Sequence, residues 1–230
     1  MLNPTIVFDL DGTLVDTAPD LVVTLNAILA RHQVPAVAFD DARAMIGAGV
    51  KPLLQRALAS KGLNFPVAEI DRLFGEYLEL YAAHIADHSK PFPGLEAALD
   101  ELAAAGCRLA VCTNKLEWLS VLLLEKLSLA PRFAAICGQD TFAMRKPDPE
   151  MLRLTIARAG GDVARAVMVG DSMTDVATAR AARVPVVAVD FGYTDIAPAE
   201  FGADRLIGHF DALTGAIREL VPELSRGGEN

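Results

Sequence analysis

The spacing of apolar residues changes twice along this 230-residue chain. Ile6-Val-Phe8 is an unbroken β-branched and aromatic run, the pattern of a buried strand, and it stops abruptly at Asp9-Leu-Asp-Gly12. From Asp16 to about Ser89 the pattern is helical. Leu21, Leu25, Ile28 and Leu29 recur at helix spacing, and Met45 and Ile46 close a short element begun by Asp40 and Asp41. Leu53, Leu54, Ala57 and Leu58 form a third stripe, and Ile70, Leu73, Phe74, Tyr77, Tyr81 and Ile85 share one face of a longer helix. Turns at Gln33-Val-Pro35, Gly47-Ala-Gly49 and Gly62-Leu-Asn-Phe-Pro66 separate these stripes, so the segment predicts a small four-helix bundle.

After Lys90-Pro-Phe-Pro-Gly94 strands and helices alternate. Helices are predicted over 95–105, 116–128, 149–159 and 173–182, followed by a terminal helix. Strands are predicted at Arg108–Cys112, Ala134–Cys137, Ala166–Val169 and Val186–Val189, with an edge strand at Asp204–Gly208. Strands joined by crossover helices lie parallel, and each crossover is right-handed. The expected fold is therefore a doubly wound parallel α/β sheet, Rossmann-like, with an all-α helical insert after the first strand. The expected domains are residues 1–15 with 90–230 as the α/β core, and 16–89 as the insert. An insert that leaves and returns beside the strand end bearing Asp9 and Asp11 is placed to act as a lid, hinged at Asp16 and Ser89.

Composition narrows the class. With 52% hydrophobic and 22% charged residues the chain can bury a large core, and only Ser225–Asn230 has the composition of a disordered tail. A net charge of −9 argues against nucleic acid as a partner, although local cations and a metal can still turn an acidic protein toward an anionic substrate. Cys107, Cys112 and Cys137 are isolated among apolar residues, as reduced core thiols in a cytosol would be. No signal-like segment precedes the first strand and no apolar run approaches the ~18 residues of a membrane span. A cytoplasmic protein without a membrane partner is expected. Trp118 is expected to pack, and His84 and His88, four apart on one helix with no third ligand nearby, are expected to be solvated.

The candidate chemistry lies at strand ends. Asp9 and Asp11 are joined there by Thr113-Asn114, Lys146-Pro147 and Gly170-Asp171-Ser172 with Asp175. In a parallel sheet these ends point the same way, so the clusters can converge. Asp9, Asp171 and Asp175 offer hard oxygen ligands suited to Mg²⁺, and the absence of an accompanying His or Cys cluster argues against zinc. Lys146 adds a point charge, and Thr113 with the Asn114 amide adds donors for anionic oxygens. Together they make a phosphoryl-transfer site without a nucleotide-binding glycine loop.

Asp9-Leu-Asp-Gly-Thr13, Thr113-Asn114, Lys146-Pro147 and Gly170-Asp171-Ser172-Met-Thr-Asp175 resemble, in order and across the whole chain, the four motifs of the haloacid dehalogenase (HAD) superfamily. The helical insert resembles that superfamily's first class of cap. Gly47-Ala-Gly49, Leu53, Arg56-Ala-Leu58 and Phe191-Gly-Tyr193 look like the phosphoglycolate phosphatase group. The resemblance implies that Asp9 is a nucleophile forming an aspartyl-phosphate and that Asp11 is the general acid and base, its backbone carbonyl also binding the metal. It implies that Thr113, Asn114 and Lys146 hold the phosphoryl group and that Asp171 completes the Mg²⁺ shell, with Asp175 as ligand or supporting partner. Because Asp11 is kept, phosphatase or phosphomutase chemistry is favoured over dehalogenation. The expected substrate is a small phosphorylated metabolite, 2-phosphoglycolate first, with a sugar phosphate such as N-acetylmuramic acid 6-phosphate as the alternative. The expected species is a monomer or homodimer. A signalling receiver also joins a doubly wound sheet to an acidic Mg²⁺ pocket, but needs neither a lid nor an acid two residues after the nucleophile. In the cap, the amides of Gly47-Ala-Gly49 and the cations Arg56 or Lys51 are candidates for a substrate carboxylate; a helix-ending turn with solvated cations is the alternative reading.

Overall fold

A computed structural model describes residues 3–194 and 196–221; the tail Ser225–Asn230 lies outside the described residues. The strand β1 (Thr5–Phe8) is followed by a short β2 (Val15–Asp16) and four helices: α1 (Ala18–Arg31), α2 (Phe39–Arg43), α3 (Val50–Ala59) and α4 (Val67–Ala83). The chain returns through β3 (Lys90–Pro91) into α5 (Leu95–Ala104), β4 (Arg108–Cys112), α6 (Glu117–Lys126), β5 (Ala135–Cys137) and α7 (Pro149–Arg158). It ends with β6 (Ala166–Gly170), α8 (Met173–Ala182), β7 (Val186–Val189), β8 (Arg205–Ile207) and α9 (Leu213–Leu220).

Six strands form one parallel sheet in the order β5-β4-β1-β6-β7-β8. From β1 the chain proceeds to β4 on one side, whereas from β6 it proceeds to β7 on the other, so the winding reverses between β1 and β6. A crevice opens outside the carboxyl ends of strands at such a switch point. In register, Phe8 lies level with Val111 on one neighbour and Val169 on the other. Asp9 therefore emerges between the ends of β4 and β6.

The sheet is apolar on both faces because helices cover both. Alternation along each strand divides the core. Ile6, Phe8, Val111 and Val169 belong to one buried cluster, while Val7, Ala110, Cys112 and Met168 belong to the other. The first cluster runs without interruption into the helical segment, through Leu25 of α1, Leu54 of α3 and Tyr77 and Tyr81 of α4. One apolar body thus carries both the β1 end and the helices above it. Cys112 and Cys137 face each other across β4 and β5, and burial pushes the Cys112 thiol up to about 12 and Cys107 to about 11. These are inert core thiols.

The helical segment is entered and left side by side, with Val15 opposite Pro91 and Asp16 opposite Lys90 in antiparallel pairing. Buried Asp20, in the first turn of α1, ties the two passages together by accepting hydrogen bonds from the backbone N–H groups of His88 and Ser89 and from the Ser89 hydroxyl at 2.6 Å.

Several expectations are corrected. The helix α4 ends at Ala83, so Ile85 lies beyond it although it is buried. His84 caps that helix beside Asp87 while His88 bonds Asp20, so the two histidines do not share a helix face, although both side chains are exposed as expected. Met45 and Ile46 fall in the turn after α2, and β5 begins at Ala135. Trp118 is 47% exposed, because α6 buries the stripe Leu119, Ser120, Leu123 and Leu124 instead.

Candidate active site

Four loops, each leaving the carboxyl end of a strand or a crossover, deliver the site residues. Asp9 follows β1 directly; its backbone N–H donates to Val169 O at 2.9 Å, continuing the ladder one step past the strand. Oδ1 of Asp9 accepts from the Leu10 amide at 2.7 Å and from Lys146 Nζ at 2.9 Å. Lys146 also donates to Asp175 Oδ1 at 2.7 Å, and all three side chains are buried.

Asp175 is held by a helix cap. It is the third residue of α8, and its Oδ2 accepts from the hydroxyl and the backbone N–H of Ser172 while the Ser172 hydroxyl accepts from the Asp175 amide. Asp171 is fixed from two sides: Thr13 Oγ1 donates to Oδ1 at 3.0 Å and the Tyr193 amide donates to Oδ2 at 2.7 Å. The space around it is closed to any larger neighbour. A Cβ on Gly12, whose φ is +83°, or on Gly192 would overlap the Asp171 side chain.

Ligand oxygens of Asp9, Asp171 and Asp175 lie within 4.8 Å of one another, an acidic cluster that can hold a metal ion. The donor set consists of hard carboxylate oxygens, which suit Mg²⁺ or a similar cation. The electrostatics agree. Burial raises the Asp9 carboxyl to about 6, with Lys146 opposing and neighbouring Asp175 assisting the rise. Burial also pushes Asp171 well above the carboxylate range, reinforced by Asp175 and Asp9. Burial alone would lower the Lys146 ammonium, but Asp175 and Asp9 override it and hold it above its ordinary value. One ammonium among three buried carboxylates leaves an excess of negative charge that a divalent cation would neutralise.

The second carboxylate faces away from this cluster. Asp11 Oδ1 accepts from Thr17 Oγ1 at 2.8 Å and from Lys115 Nζ at 3.0 Å. Lys115 in turn donates to the hydroxyl of Tyr81 on α4 at 2.9 Å. Thr113 and Asn114 stand at the end of β4, where the Thr113 amide donates to Cys137 O. Asn114 Nδ2 reaches Lys146 O at 3.3 Å and Gly47 O at 3.4 Å, and its Oδ1 is buried without a hydrogen-bond partner among the described residues. An orphaned buried acceptor in a site is an unfilled contact.

A cleft joins these groups to the helical segment. Asp9, Asp11, Thr113 and Asn114 line it together with Gly47 and Gly49, both at positive φ, and with Gln139. A Cβ on Gly49 would crowd Asn114 O and Gln139 Oε1 at 3.3 Å, so the glycine permits the close approach of the loop. Arg56 is not brought into this cleft. It is exposed, donates to Met45 O and borders a separate outer groove. Lys51 is likewise drawn off to Asp71 at 2.6 Å on the surface.

Sequence reasoning did not single out Lys115, Gln139 or Tyr81 as site residues. Lys115 stands directly after Thr113-Asn114, so its strand-end position was the available signal. Gln139 and Tyr81 carried none beyond a loop position and a helical stripe. Tyr193 completes the frame: its hydroxyl accepts from the Ala18 amide and donates to Asp16, while Arg43 lies 5.1 Å over its ring and donates to Gly192 O.

Comparison with known proteins agrees with this arrangement. The profile of the haloacid dehalogenase-like hydrolase family matches residues 6–189. A phosphoglycolate phosphatase from Mesorhizobium japonicum is 52% identical over 96% of this chain and 97% of its own length. One from Agrobacterium fabrum is 48% identical over 96% and 94%. The crystal structure of a predicted phosphoglycolate phosphatase from Haemophilus somnus superposes with a TM-score of 0.87 at 27% identity, covering 93% of this chain and 97% of that one. The Rossmann-like sheet, the acidic cluster at its switch point and these matches lead to one conclusion: the chain belongs to the haloacid dehalogenase-like hydrolase family.

Proposed function

We propose that this hydrolase cleaves a small phosphomonoester, 2-phosphoglycolate above all, to glycolate and inorganic phosphate, with Asp9 as nucleophile. The observation that carries the reading is the meeting of Asp9, Lys146, Asp171 and Asp175 at the switch point of a family-typical sheet, in a chain 52% identical to a phosphoglycolate phosphatase. At neutral pH a carboxyl with a pKa near 6 is mostly ionised and ready to attack. Its Oδ1 is engaged by Lys146 and the Leu10 amide, which leaves Oδ2 to approach phosphorus in line.

Asp9, the Asp11 carbonyl and Asp171 are the groups we assign to Mg²⁺. Asp175, with both oxygens already held by Lys146 and Ser172, serves as their supporting partner. Bound there, the ion would supply charge neutralisation for the phosphoryl oxygens. Lys146 steadies the nucleophile and the incoming dianion, and Thr113 Oγ1 with the Asn114 amide offers donors to the phosphoryl group. Asp11, on the cleft side away from the cluster, is placed to protonate the leaving oxygen and then to take a proton from the water that cleaves the aspartyl-phosphate.

Residues 16–89 form the lid in this reading, with its hinge at the β2–β3 pair. Apolar Leu21, Ile46, Val50, Leu53 and Phe74 of that segment line the cleft above the carboxylates, which suits a small leaving group better than a polyhydroxylated sugar. A cytoplasmic monomer or homodimer completes the proposal, and the buried free thiols support the cytoplasmic location. Among the described residues no helix is long and apolar enough to cross a membrane. The test is phosphate release from 2-phosphoglycolate, N-acetylmuramic acid 6-phosphate and other sugar phosphates, with Mg²⁺ or EDTA. The expected result is Mg²⁺-dependent turnover of 2-phosphoglycolate that Asp9→Asn abolishes; turnover that survives this substitution would remove Asp9 from its role.

A further inference from the structure

Among the described residues that line the cleft, Lys115 is the one cation. The others nearby are committed elsewhere: Lys146 lies between Asp9 and Asp175, Arg43 on the Tyr193 ring, Lys51 on Asp71 and Arg56 on Met45 O. The Lys115 side chain is 4% exposed, and its ammonium touches Asp11 Oδ1 at 3.0 Å, Oδ2 at 3.3 Å and the Tyr81 hydroxyl at 2.9 Å. The remaining wall on that side is largely apolar, with Leu21, Val50, Leu53 and Phe74 from the helical segment.

We propose that Lys115 is the specificity-determining residue of the cleft, selecting esters whose leaving alcohol carries a carboxylate on the carbon next to the ester oxygen. The inference rests on the function proposed above, which puts the leaving oxygen beside Asp11. The Lys115 ammonium touches that same carboxylate, so a carboxylate one methylene from the leaving oxygen comes within its reach. Placed among apolar side chains, such a carboxylate finds no other cation and pairs with Lys115 or remains stranded. Tyr81, fully buried on α4, fixes the ammonium from the lid side. The cation that recognises the leaving group is thus supplied by the core and aimed by the lid.

The test compares kcat/KM for 2-phosphoglycolate and for its neutral isostere carbamoylmethyl phosphate, in the native chain and in Lys115→Met, Lys115→Gln and Lys115→Arg, each checked for folding by circular dichroism. The native chain is expected to prefer the acid by about 10- to 100-fold, the range of a hydrogen bond to a charged group. The Met and Gln variants lose that preference, and the Arg variant, which keeps the charge, retains part of it. A common fall on both esters that leaves the ratio unchanged overturns the proposal, since Lys115 would then act only on Asp11. Equal use of acid and amide by the native chain overturns it too, while leaving a phosphatase in place. Failure of the native chain to hydrolyse 2-phosphoglycolate, with other phosphomonoesters turned over, removes the function proposed above and this selectivity with it.

Discussion

The hydroxyl of Tyr193 donates to Oδ1 of Asp16 at 2.5 Å, tying the loop after β7 to the strand through which the chain enters its helical segment. The same residue's backbone amide donates to Asp171, so one tyrosine touches both the acidic cluster and the β2–β3 pair proposed as the hinge. Tyr193→Phe removes the hydroxyl and leaves the Ala18 N–H without its partner. The expected cost is about 1–3 kcal/mol, the penalty of an unpaired buried polar group. A drop in thermal midpoint and faster limited proteolysis near Asp16 and Ser89 are the expected readouts. A variant as resistant as the native chain would show that this contact does not hold the hinge.

Lys146 is the buried counter-charge of the site. Lys146→Met leaves Asp9 and Asp175 facing each other without it, and breaking a buried pair from one side costs about 3–5 kcal/mol. Urea denaturation without metal should show that loss, and added Mg²⁺ should restore part of it by mass action. Phosphate release should fall by at least about 100-fold, as when a single oriented electrostatic contact is lost. Wild-type stability in the metal-free variant would mean that the carboxylates are not charged together.

What could be read from the chain alone follows from the periodicity of parallel sheets. Ile6 to Phe8 and Ala166 to Val169 are apolar without a break because both faces are covered, so the polar residues that end them mark the site's edge. Asp9 and Asp171 were legible for that reason, whereas Lys146, in the loop well past β5, was legible only as a polar cluster beyond a strand end. Arg56 was not, because spacing on α3 gives a face but not the side chain's destination, and the carbonyl of Met45 draws it outward. Trp118 misled through the same limit: along Glu117–Lys126 polar Glu117, Ser120, Glu125 and Lys126 are scattered around the axis among apolar residues, so no stripe tells which side is buried. Lys115 was hidden by contacts that span 104 and 34 residues of sequence, to Asp11 and Tyr81.

Metal affinity should depend on pH through Asp9. Its carboxyl is raised to about 6 in the metal-free protein, and only the ionised form is a ligand. Below pH 6 protons compete with the ion for Asp9; Asp171, raised in the same direction by burial, adds to that competition and extends the dependence. Titration calorimetry with Mg²⁺ at pH 5, 6 and 7.5 should show affinity rising with pH together with proton release at the lower values. An affinity flat across this window would exclude Asp9 and Asp171 as the ligands.

Asp20 should govern the acid stability of the junction where the helical segment is entered and left. Burial works against its ionised form, but hydrogen bonds from the Ser89 hydroxyl and amide and from His88 outweigh that and hold the carboxyl below its usual range. A folded-state pKa below the unfolded value of 3.8 means that the unfolded chain binds the proton more readily. The stabilisation is then complete above about pH 4 and is lost as the pH falls toward the lower folded-state value. Asp20→Asn keeps the shape but weakens the acceptor, so it should lower the urea midpoint at pH 7 and narrow the gap to the native chain at pH 3. Because Asp20 clasps His88 and Ser89, the loss at pH 7 should appear first as exchange of the Ser89 amide, ahead of global unfolding. A constant difference between the two proteins from pH 3 to 7 would show that the clasp acts through packing rather than through charge.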